Sequence, residues 1–227
     1  MQSVLITGAN RGIGLEFARQ YAGDGWRVHA TCRDPARAKD LKNLNGDMHL
    51  HALEIGDFTA IDGLARELEG EAIDILINNA GVYGEGPQTL DALDYGDWAE
   101  VFRIDCMAQI KMSQAFVPHV AKSKARVIAA VTSKMGSIAD NTSGGAYAYR
   151  SAKAALNAAV KSLAIDMAPR GIIAVVVHPG WVQTDMGGPN ALITVEKSVS
   201  GMRAVMSRLA RKDSGRFWGY DGEEIPW

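Results

Sequence analysis

The sequence predicts an alternating α/β protein in which a parallel sheet is covered by helices on both faces. Short apolar runs alternate with longer amphipathic segments along the chain, and this alternation is typical of strand-helix-strand units. The runs Val127–Val131 and Ile172–Val177 are almost continuously apolar, as expected for parallel strands that are buried on both sides. The 227 residues contain no internal repeat, low-complexity tract or linker, so one domain spanning residues 1–227 is expected.

Turn-forming residues separate the expected elements. Asp24-Gly25 follows the first helical segment, and the glycine-rich stretch from Gly187 to about Thr194 predicts a mobile substrate loop within residues 186–200. Strands are expected at Val4–Thr7, Arg27–Cys32, Met48–Leu53, Ile73–Ile77, Arg126–Val131, Ile172–His178 and Phe217-Trp218. Helices are expected between them, including Gly14–Tyr21, Thr59–Leu68, Trp98–Val120 and Ser151–Ala168.

The composition argues against several classes of protein. The formal net charge is −2 and the sequence has no basic stripe, so a nucleic-acid partner is not expected. No stretch approaches roughly 18 uninterrupted apolar residues, and the first residues lack the pattern of a signal peptide. Cys32 and Cys106 cannot form a disulfide framework, and their spacing matches no metal site. We therefore expect a cytoplasmic protein without a membrane span or a metal.

The segment Thr7–Gly14 predicts a dinucleotide site. Gly8, Gly12 and Gly14 follow an expected strand and open an expected helix, which is the context of a dinucleotide fingerprint. Glycine residues let the chain turn tightly and bring backbone N–H groups to a pyrophosphate, whose charge the helix dipole favours. An ordinary glycine-rich turn is the alternative. The candidate site also includes Asn10, Arg11 and Ile13.

Tyr149 and Lys153 predict a proton-transfer site. Residues at i and i+4 of a helix lie on one face, so this phenol and this ammonium can be neighbours. A phenol has an ordinary pKa of about 10, and a nearby ammonium favours the phenolate and lowers that pKa. Tyr147 has no such partner, because Ser151 stands where the lysine would be needed. A packed phenol beside a surface lysine is the alternative for the pair taken alone.

Three motifs together resemble those of the short-chain dehydrogenase/reductase family along nearly the whole chain. They are the Gly8-x-x-x-Gly12-x-Gly14 turn, Asn78-Asn79-Ala80-Gly81 after the fourth strand, and the Tyr149/Lys153 pair. The resemblance implies a single Rossmann-type domain with a doubly wound parallel sheet. Residues 149–157, the loop at 140–145 and the segment 220–227 are similar to the branch that contains bacterial C-factor proteins and sniffer-like carbonyl reductases.

The resemblance also implies which residues bind a nicotinamide cofactor. Arg33 at the end of the second strand and Arg11 in the glycine turn favour NADP(H) over NAD(H), because guanidinium groups bind a 2′-phosphate well. Asp34 weakens the positive field, and two solvated surface arginines are the alternative. The family's adenine site corresponds to Glu54 and Ile55, its ribose loop to Asn78, Ala80 and Gly81, and its nicotinamide site to Pro179, Gly180, Val182 and Thr184.

The family's catalytic residues correspond to Ser133, Tyr149 and Lys153, with Asp105 in place of a usual asparagine. Ser133 would hold the substrate oxygen at the end of the fifth strand, and Ser137 is its rival. Lys153 would bind the ribose and lower the pKa of the tyrosine. Asp105 keeps a hydrogen-bond acceptor and adds a charge, and we hypothesise that it orders a water in a proton relay. A plain helix carboxylate, or a shifted alignment, is the alternative.

The function that the resemblance implies is NAD(P)H-dependent reduction of an aldehyde or ketone to an alcohol, or the reverse. The partner is then a small carbonyl or alcohol compound. A cofactor-binding signalling protein with little turnover is the alternative, and a nucleotide-sugar epimerase or dehydratase is a third that usually needs a longer chain. Family members often assemble through two long helices, here those with Cys106 and Lys153, so a homodimer or homotetramer is expected.

Overall fold

Seven parallel strands form one sheet in the computed structural model, which describes residues 1–227. The strands are β1 (Ser3–Ile6), β2 (Arg27–Cys32), β3 (Asp47–Ala52), β4 (Ile75–Asn78), β5 (Val127–Val131), β6 (Ile173–His178) and β7 (Phe217–Gly219). Their order in the sheet is β3-β2-β1-β4-β5-β6-β7. The order reverses between β1 and β4, and open parallel sheets bind ligands in the crevice at such a point.

Helices cover both faces of this sheet. They are α1 (Gly12–Gly23), α2 (Lys39–Lys42), α3 (Phe58–Glu67), α4 (Tyr95–Phe102), α5 (Gln109–Lys122), α6 (Tyr147–Met167) and α7 (Val195–Ser207). Because side chains alternate along a strand, Val4 and Ile6 of β1 pack with α1 and α7, whereas Leu5 packs with α3, α5 and α6. The predicted α/β fold is therefore confirmed. None of the helices is both long enough and apolar enough to span a membrane.

The helix expected at Trp98–Val120 is continuous but irregular. The π-helical segment Arg103–Ala108 joins α4 to α5 and contains Asp105. Such π-helical turns are frequent at functional sites. This local change of pitch could not be read from apolar periodicity, and it determines where Asp105 enters the interior.

Two boundaries differ from the expected ones in ways that matter for the site. Helix α6 begins at Tyr147 instead of Ser151, so Tyr149 and Lys153 both lie on the helix. Helix α7 begins at Val195, where the Thr194 hydroxyl accepts a hydrogen bond from Lys197 N at 3.3 Å. The expected substrate loop of residues 186–200 therefore ends at Thr194, and residues 195–200 are helical.

Candidate active site

A cleft of about 720 Å³ opens at the carboxyl ends of the strands. Segments that follow β1, β2, β3, β4 and β6 line it, together with the π-helical segment and α6. Most residues expected from the sequence are among its lining residues: Gly8, Asn10, Arg11, Gly12, Ile13, Gly14, Arg33, Glu54, Ile55, Ala80, Gly81, Asp105, Tyr149, Lys153, Pro179 and Thr184. The other expected residues, Asn78, Ser133, Gly180 and Val182, are not part of this lining.

The glycine turn after β1 forms a cradle that requires glycine. Gly8 has a φ of 66°, and a Cβ atom there would lie 3.0 Å from Cα of Ala80. A Cβ atom on Gly14 would overlap the carbonyl oxygen of Gly8 and lie 2.7 Å from Nδ2 of Asn79. No side chain caps the N-terminus of α1, so its first backbone N–H groups lack side-chain partners. The cradle and these donors fit the pyrophosphate of a dinucleotide.

Hydrogen bonds fix the loop after β4 against the glycine turn. The Thr7 hydroxyl accepts hydrogen bonds from Asn79 N at 2.9 Å and Ala80 N at 3.0 Å. The Asn78 side chain is buried and donates to Ser113 Oγ at 2.9 Å, so it lies behind the cleft and ties the loop to α5. Asn79, which sequence analysis did not select, lines the cleft and donates to the carbonyl oxygen of Thr7 at 2.9 Å.

Three basic and two acidic side chains lie at the end of the cleft beside β2. A side pocket of about 560 Å³ is lined by Asn10, Arg33, Asp34, Arg37, Ala38, Lys39 and Asp40. The Asp34 carboxylate accepts hydrogen bonds from Ala36 N at 2.9 Å and Arg37 N at 3.3 Å, so it is engaged in its own turn. Arg11 does not line the side pocket, because its guanidinium pairs with Asp185 at 2.9 Å.

Tyr149 and Lys153 meet Asp105 in the interior of the cleft. The exposed fractions of the three residues are 8%, 4% and 0%. Lys153 Nζ lies 5.7 Å from the centre of the Tyr149 ring and 3.0 Å from Asp105 Oδ2. The other oxygen of Asp105 accepts a hydrogen bond from Val82 N at 2.7 Å. Asp105 therefore contacts Lys153 directly, and the hypothesis that it orders a water in a proton relay stays a prediction.

The pKa directions of these groups differ in part from expectation. Burial raises the pKa of the Tyr149 phenol above 10.0, Lys153 opposes this rise, and Asp105 adds to it. The expectation of a lowered tyrosine pKa is therefore wrong in its net direction, although the contribution of Lys153 has the expected sign. Burial alone would lower the pKa of Lys153, but Asp105 and Tyr149 raise it above 10.5. Lys153 is therefore a cation.

Ser133 and Ser137 point to different partners. Ser133 accepts a hydrogen bond from Met135 N at 3.1 Å, and its hydroxyl interacts with the Tyr149 phenol and lowers the phenol pKa. The Ser137 hydroxyl donates to the carbonyl oxygen of Pro226 at 2.6 Å. Ser137 is thus occupied by the C-terminal segment, and Ser133 is the better candidate for binding a substrate oxygen.

His178 supports the turn that follows Ser133. Its Nδ1 accepts a hydrogen bond from Lys134 N at 3.1 Å. Burial, with help from the Lys134 ammonium, lowers the pKa of His178 to about 4. The imidazole is therefore neutral at ordinary pH, which an acceptor for a backbone N–H must be.

Comparison with known proteins identifies the family. A sequence profile of the short chain dehydrogenases matches residues 2–192. The chain belongs to the short-chain dehydrogenase family. The carbonyl reductase Sniffer of D. melanogaster superposes with a TM-score of 0.94 at 35% identity, over 100% of both chains. The NADPH-bound carbonyl reductase from chicken fatty liver superposes with a TM-score of 0.93 at 37% identity, over 100% of this chain and 99% of the other.

A third relative is the C-signal protein of Myxococcus xanthus. It is 49% identical over 155 residues, which cover 68% of this chain and 93% of the relative. The expected membership of the short-chain dehydrogenase family, in the C-factor and sniffer-like branch, is thereby confirmed. This short-chain dehydrogenase is an NAD(P)H-dependent oxidoreductase.

Several lining residues of this short-chain dehydrogenase were missed from the sequence. Arg37 and Lys39 could have been found, because they follow Arg33 at short spacing in one basic stretch. Gln183, Asp185 and Met186 line the cleft from the loop after β6, where no local pattern distinguishes a lining side chain from a solvated one. The remaining missed lining residues are Thr31, Cys32, Leu53, Asn79, Val82, Glu100, Arg103, Ile104, Val131 and Thr132.

Proposed function

We propose that this protein reduces an aldehyde or ketone to the alcohol with NADPH, or catalyses the reverse reaction. The observation that carries this proposal is the grouping of Ser133, Tyr149 and Lys153 beside the cleft into which the glycine cradle opens. A phenol and a hydroxyl that converge beside a dinucleotide-sized cleft can bind and protonate a carbonyl oxygen.

Each residue has a distinct part in the proposed reaction. A bound nicotinamide ring supplies the hydride that reduces the carbonyl carbon. Tyr149 donates its proton to the carbonyl oxygen, and Ser133 donates a hydrogen bond to the same oxygen. Lys153, held by Asp105 at 3.0 Å and by the carbonyl oxygen of Val131 at 3.2 Å, binds the ribose.

Other lining residues would hold the cofactor. Backbone N–H groups at the start of α1 bind the pyrophosphate. Glu54 and Ile55 contact the adenine, and Ala80 with Gly81 allows the ribose a close approach. Pro179, Gly180, Val182 and Thr184 form the nicotinamide side of the site, with Pro179 and Thr184 lining the cleft itself.

The side pocket beside β2 supports a preference for NADPH. Three basic residues, Arg33, Arg37 and Lys39, line it with the acidic residues Asp34 and Asp40. The Asp34 carboxylate is occupied by backbone N–H groups of its own turn, so the bases outnumber the one remaining carboxylate. Guanidinium groups form charge-assisted bonds to a phosphate and gain nothing comparable from a free ribose hydroxyl. The similar carbonyl reductase from chicken fatty liver is described as NADPH-bound.

Exposed aromatic and thioether side chains lie beside Tyr149 and on the loop after β6, and Met186 among them lines the cleft. The Tyr83 ring lies 4.9 Å from the Tyr149 ring, and Tyr83 is 41% exposed. Trp181 and Met186 are 50% and 54% exposed on the loop after β6. Exposed aromatic and thioether side chains at a cleft favour apolar ligands. We infer an apolar carbonyl compound as the substrate class.

A signalling role with little turnover is the second candidate, and the observation that favours it is the similarity to C-signal. A protein that only binds its cofactor needs the glycine cradle but has no need for a buried phenol beside a lysine. Tyr149, Lys153 and Ser133 are all present and close together here, which favours the enzyme. The cytoplasmic location and the homodimer or homotetramer stay predictions.

Oxidation of NADPH, and separately of NADH, is measured with a panel of aldehydes, ketones and diketones. Tyr149→Phe removes the proton donor, and Tyr147→Phe is the matched control, since Tyr147 begins the same helix outside the cleft lining. The proposal expects turnover that prefers NADPH, is lost in Tyr149→Phe and is kept in Tyr147→Phe. Tight NADPH binding without turnover across the panel would support the signalling candidate instead.

A further inference from the structure

Two charged groups, Lys153 and Asp105, act on the Tyr149 phenol. Lys153 lies one turn further along α6, and Asp105 approaches from the π-helical segment. The Ser133 hydroxyl and the Tyr83 phenol are the uncharged groups that act on the phenol, and the Cys106 thiol acts on Lys153. Burial is the largest influence on the pKa of the phenol, and the balance between one cation and one anion decides how far that influence is offset.

Asp105 is positioned to cancel the charge of Lys153. One carboxylate oxygen faces the ammonium at 3.0 Å and the other accepts from Val82 N at 2.7 Å, so both oxygens face donors. Burial raises the pKa of the Asp105 carboxyl above its ordinary value, and the Lys153 ammonium and the Val82 N–H oppose this rise. The carboxylate form fits this geometry, because one oxygen faces a cation and the other a backbone N–H. Asp105 has no exposed surface, so bulk water does not screen this charge.

We propose that Asp105 is a positioning residue that neutralises Lys153 and thereby keeps Tyr149 protonated, so that alcohol oxidation, which needs the phenolate, is slow near neutral pH and rises only in alkaline solution. This inference rests on the proposed oxidoreduction at the same site and assigns its pH dependence. Reduction starts from the phenol and leaves a phenolate, which takes a proton back from solvent. Oxidation starts from the phenolate, which must accept the hydroxyl proton of the alcohol.

The substitution Asp105→Asn would replace the anion by a neutral amide and keep the cation. A cation within about 4–6 Å of an ionisable group typically shifts its pKa by one to three units toward the charged form. In that variant, Lys153 would act on Tyr149 without opposition, and the phenolate would form at lower pH. The Val82 N–H would keep an acceptor in the amide oxygen, so the loop after β4 would keep its anchor.

Ultraviolet titration of tyrosinate in the protein without cofactor tests this inference. The wild type, Asp105→Asn, Tyr149→Phe and the double variant are titrated upward in pH. Subtracting the curve of each protein that carries Tyr149→Phe from that of its parent isolates the titration of Tyr149. We expect the Tyr149 midpoint to fall by about one pH unit or more in Asp105→Asn.

Cys106→Ser is the control for this titration. It changes the side chain next to Asp105 without changing charge, and it should leave the Tyr149 midpoint in place. Equal Tyr149 midpoints in the wild type and in Asp105→Asn would overturn the inference, because the carboxylate would then have no influence on the phenol.

The wild-type midpoint alone keeps the inference testable if Asp105→Asn does not fold. The inference requires that midpoint to lie above the ordinary phenol pKa of about 10, and a midpoint at or below that value would overturn it. Both titrations are made without a substrate, so either can support or contradict the inference even if no turnover is found. Where turnover is found, the rate of alcohol oxidation should begin to rise at a lower pH in Asp105→Asn than in the wild type. The shift should equal the shift of the Tyr149 titration midpoint.

Discussion

Gln88 joins the first turn of α6 to the loop after β4 through two hydrogen bonds of its side chain. Its Oε1 accepts a hydrogen bond from the backbone N–H of Tyr149 at 2.9 Å, and its amide donates to the carbonyl oxygen of Tyr83 at 2.5 Å. The N–H of Tyr149 belongs to the first turn of α6, where no intrahelical partner exists. Gln88 is 8% exposed, so water cannot easily replace either bond.

We expect Gln88→Ala to lower both stability and kcat. The buried N–H of Tyr149 and the partly buried carbonyl of Tyr83 lose a partner, at a cost of about 1–3 kcal/mol in the free energy of unfolding. A loosened Tyr149 should reduce kcat by about tenfold, because small misplacements of a reacting group are costly. Gln88→Glu keeps the acceptor for Tyr149 and loses the donor to Tyr83, so it separates the two contacts. Urea unfolding and turnover are measured together, and a fully active Gln88→Ala would show that neither contact positions the phenol.

Two helical glycines allow a matched test of the cradle. Gly14→Ala should abolish NADPH binding and destabilise the fold, because the new Cβ atom would overlap the carbonyl oxygen of Gly8. Gly63→Ala in α3 meets nothing within 4 Å and should raise stability by about 0.5–1 kcal/mol through helix propensity. NADPH fluorescence titration and urea unfolding are the measurements. Normal NADPH affinity in Gly14→Ala would mean that the cofactor does not use this turn.

The side pocket gives a prediction about cofactor selectivity. Arg33→Ala and Arg37→Ala should each raise the KM for NADPH by about 10- to 100-fold, the range expected for a lost charge-assisted bond to phosphate. The KM for NADH should change little, because NADH has no 2′-phosphate. Arg66→Ala removes an exposed arginine from α3, away from the cleft lining, and is the control. Parallel losses for NADPH and NADH would count against a phosphate site here.

The sequence was sufficient for features that depend on local pattern. Apolar runs located six of the seven strands, and the C-terminal segment with its Asp-Gly turn suggested the last one. The glycines of the turn after β1 were identified because a strand and a helix flank them. The Tyr149/Lys153 pair was found because a helix places i and i+4 on one face. Each of these inferences needs only a short segment of chain, whose conformation the neighbouring residues largely decide.

Features that depend on contacts between distant segments were not predictable in the same way. The direct contact of Asp105 with Lys153 arises from a π-helical turn packed against α6, and the raised pKa of Tyr149 arises mainly from burial. Gln88 was not selected at all, because glutamine in a loop is usually solvated and only the fold brings it beneath the first turn of α6.

A histidine cluster between β2 and β3 gives a prediction about acid stability. His29 is 2% exposed and its Nδ1 lies 3.2 Å from Nε2 of His51, whose Nδ1 lies 2.8 Å from Glu67. Burial, with the neighbouring His51 and His49, lowers the pKa of His29 from 6.5 to about 4. Between these two values the unfolded chain binds more protons than the folded protein, so protonation favours unfolding. Stability is therefore complete above pH 6.5 and falls as the pH drops toward 4.

His29→Gln should flatten this dependence, because the amide can donate to His51 but does not titrate. Between about pH 7 and pH 5, the wild type should lose about 2 kcal/mol more of its free energy of unfolding than His29→Gln. The estimate follows because each pH unit below the pKa of the unfolded histidine costs about 1.36 kcal/mol of stability. Urea unfolding at the two pH values measures the difference. Equal losses in the wild type and in His29→Gln would contradict this prediction, because His29 would then have the same pKa in the folded and in the unfolded protein.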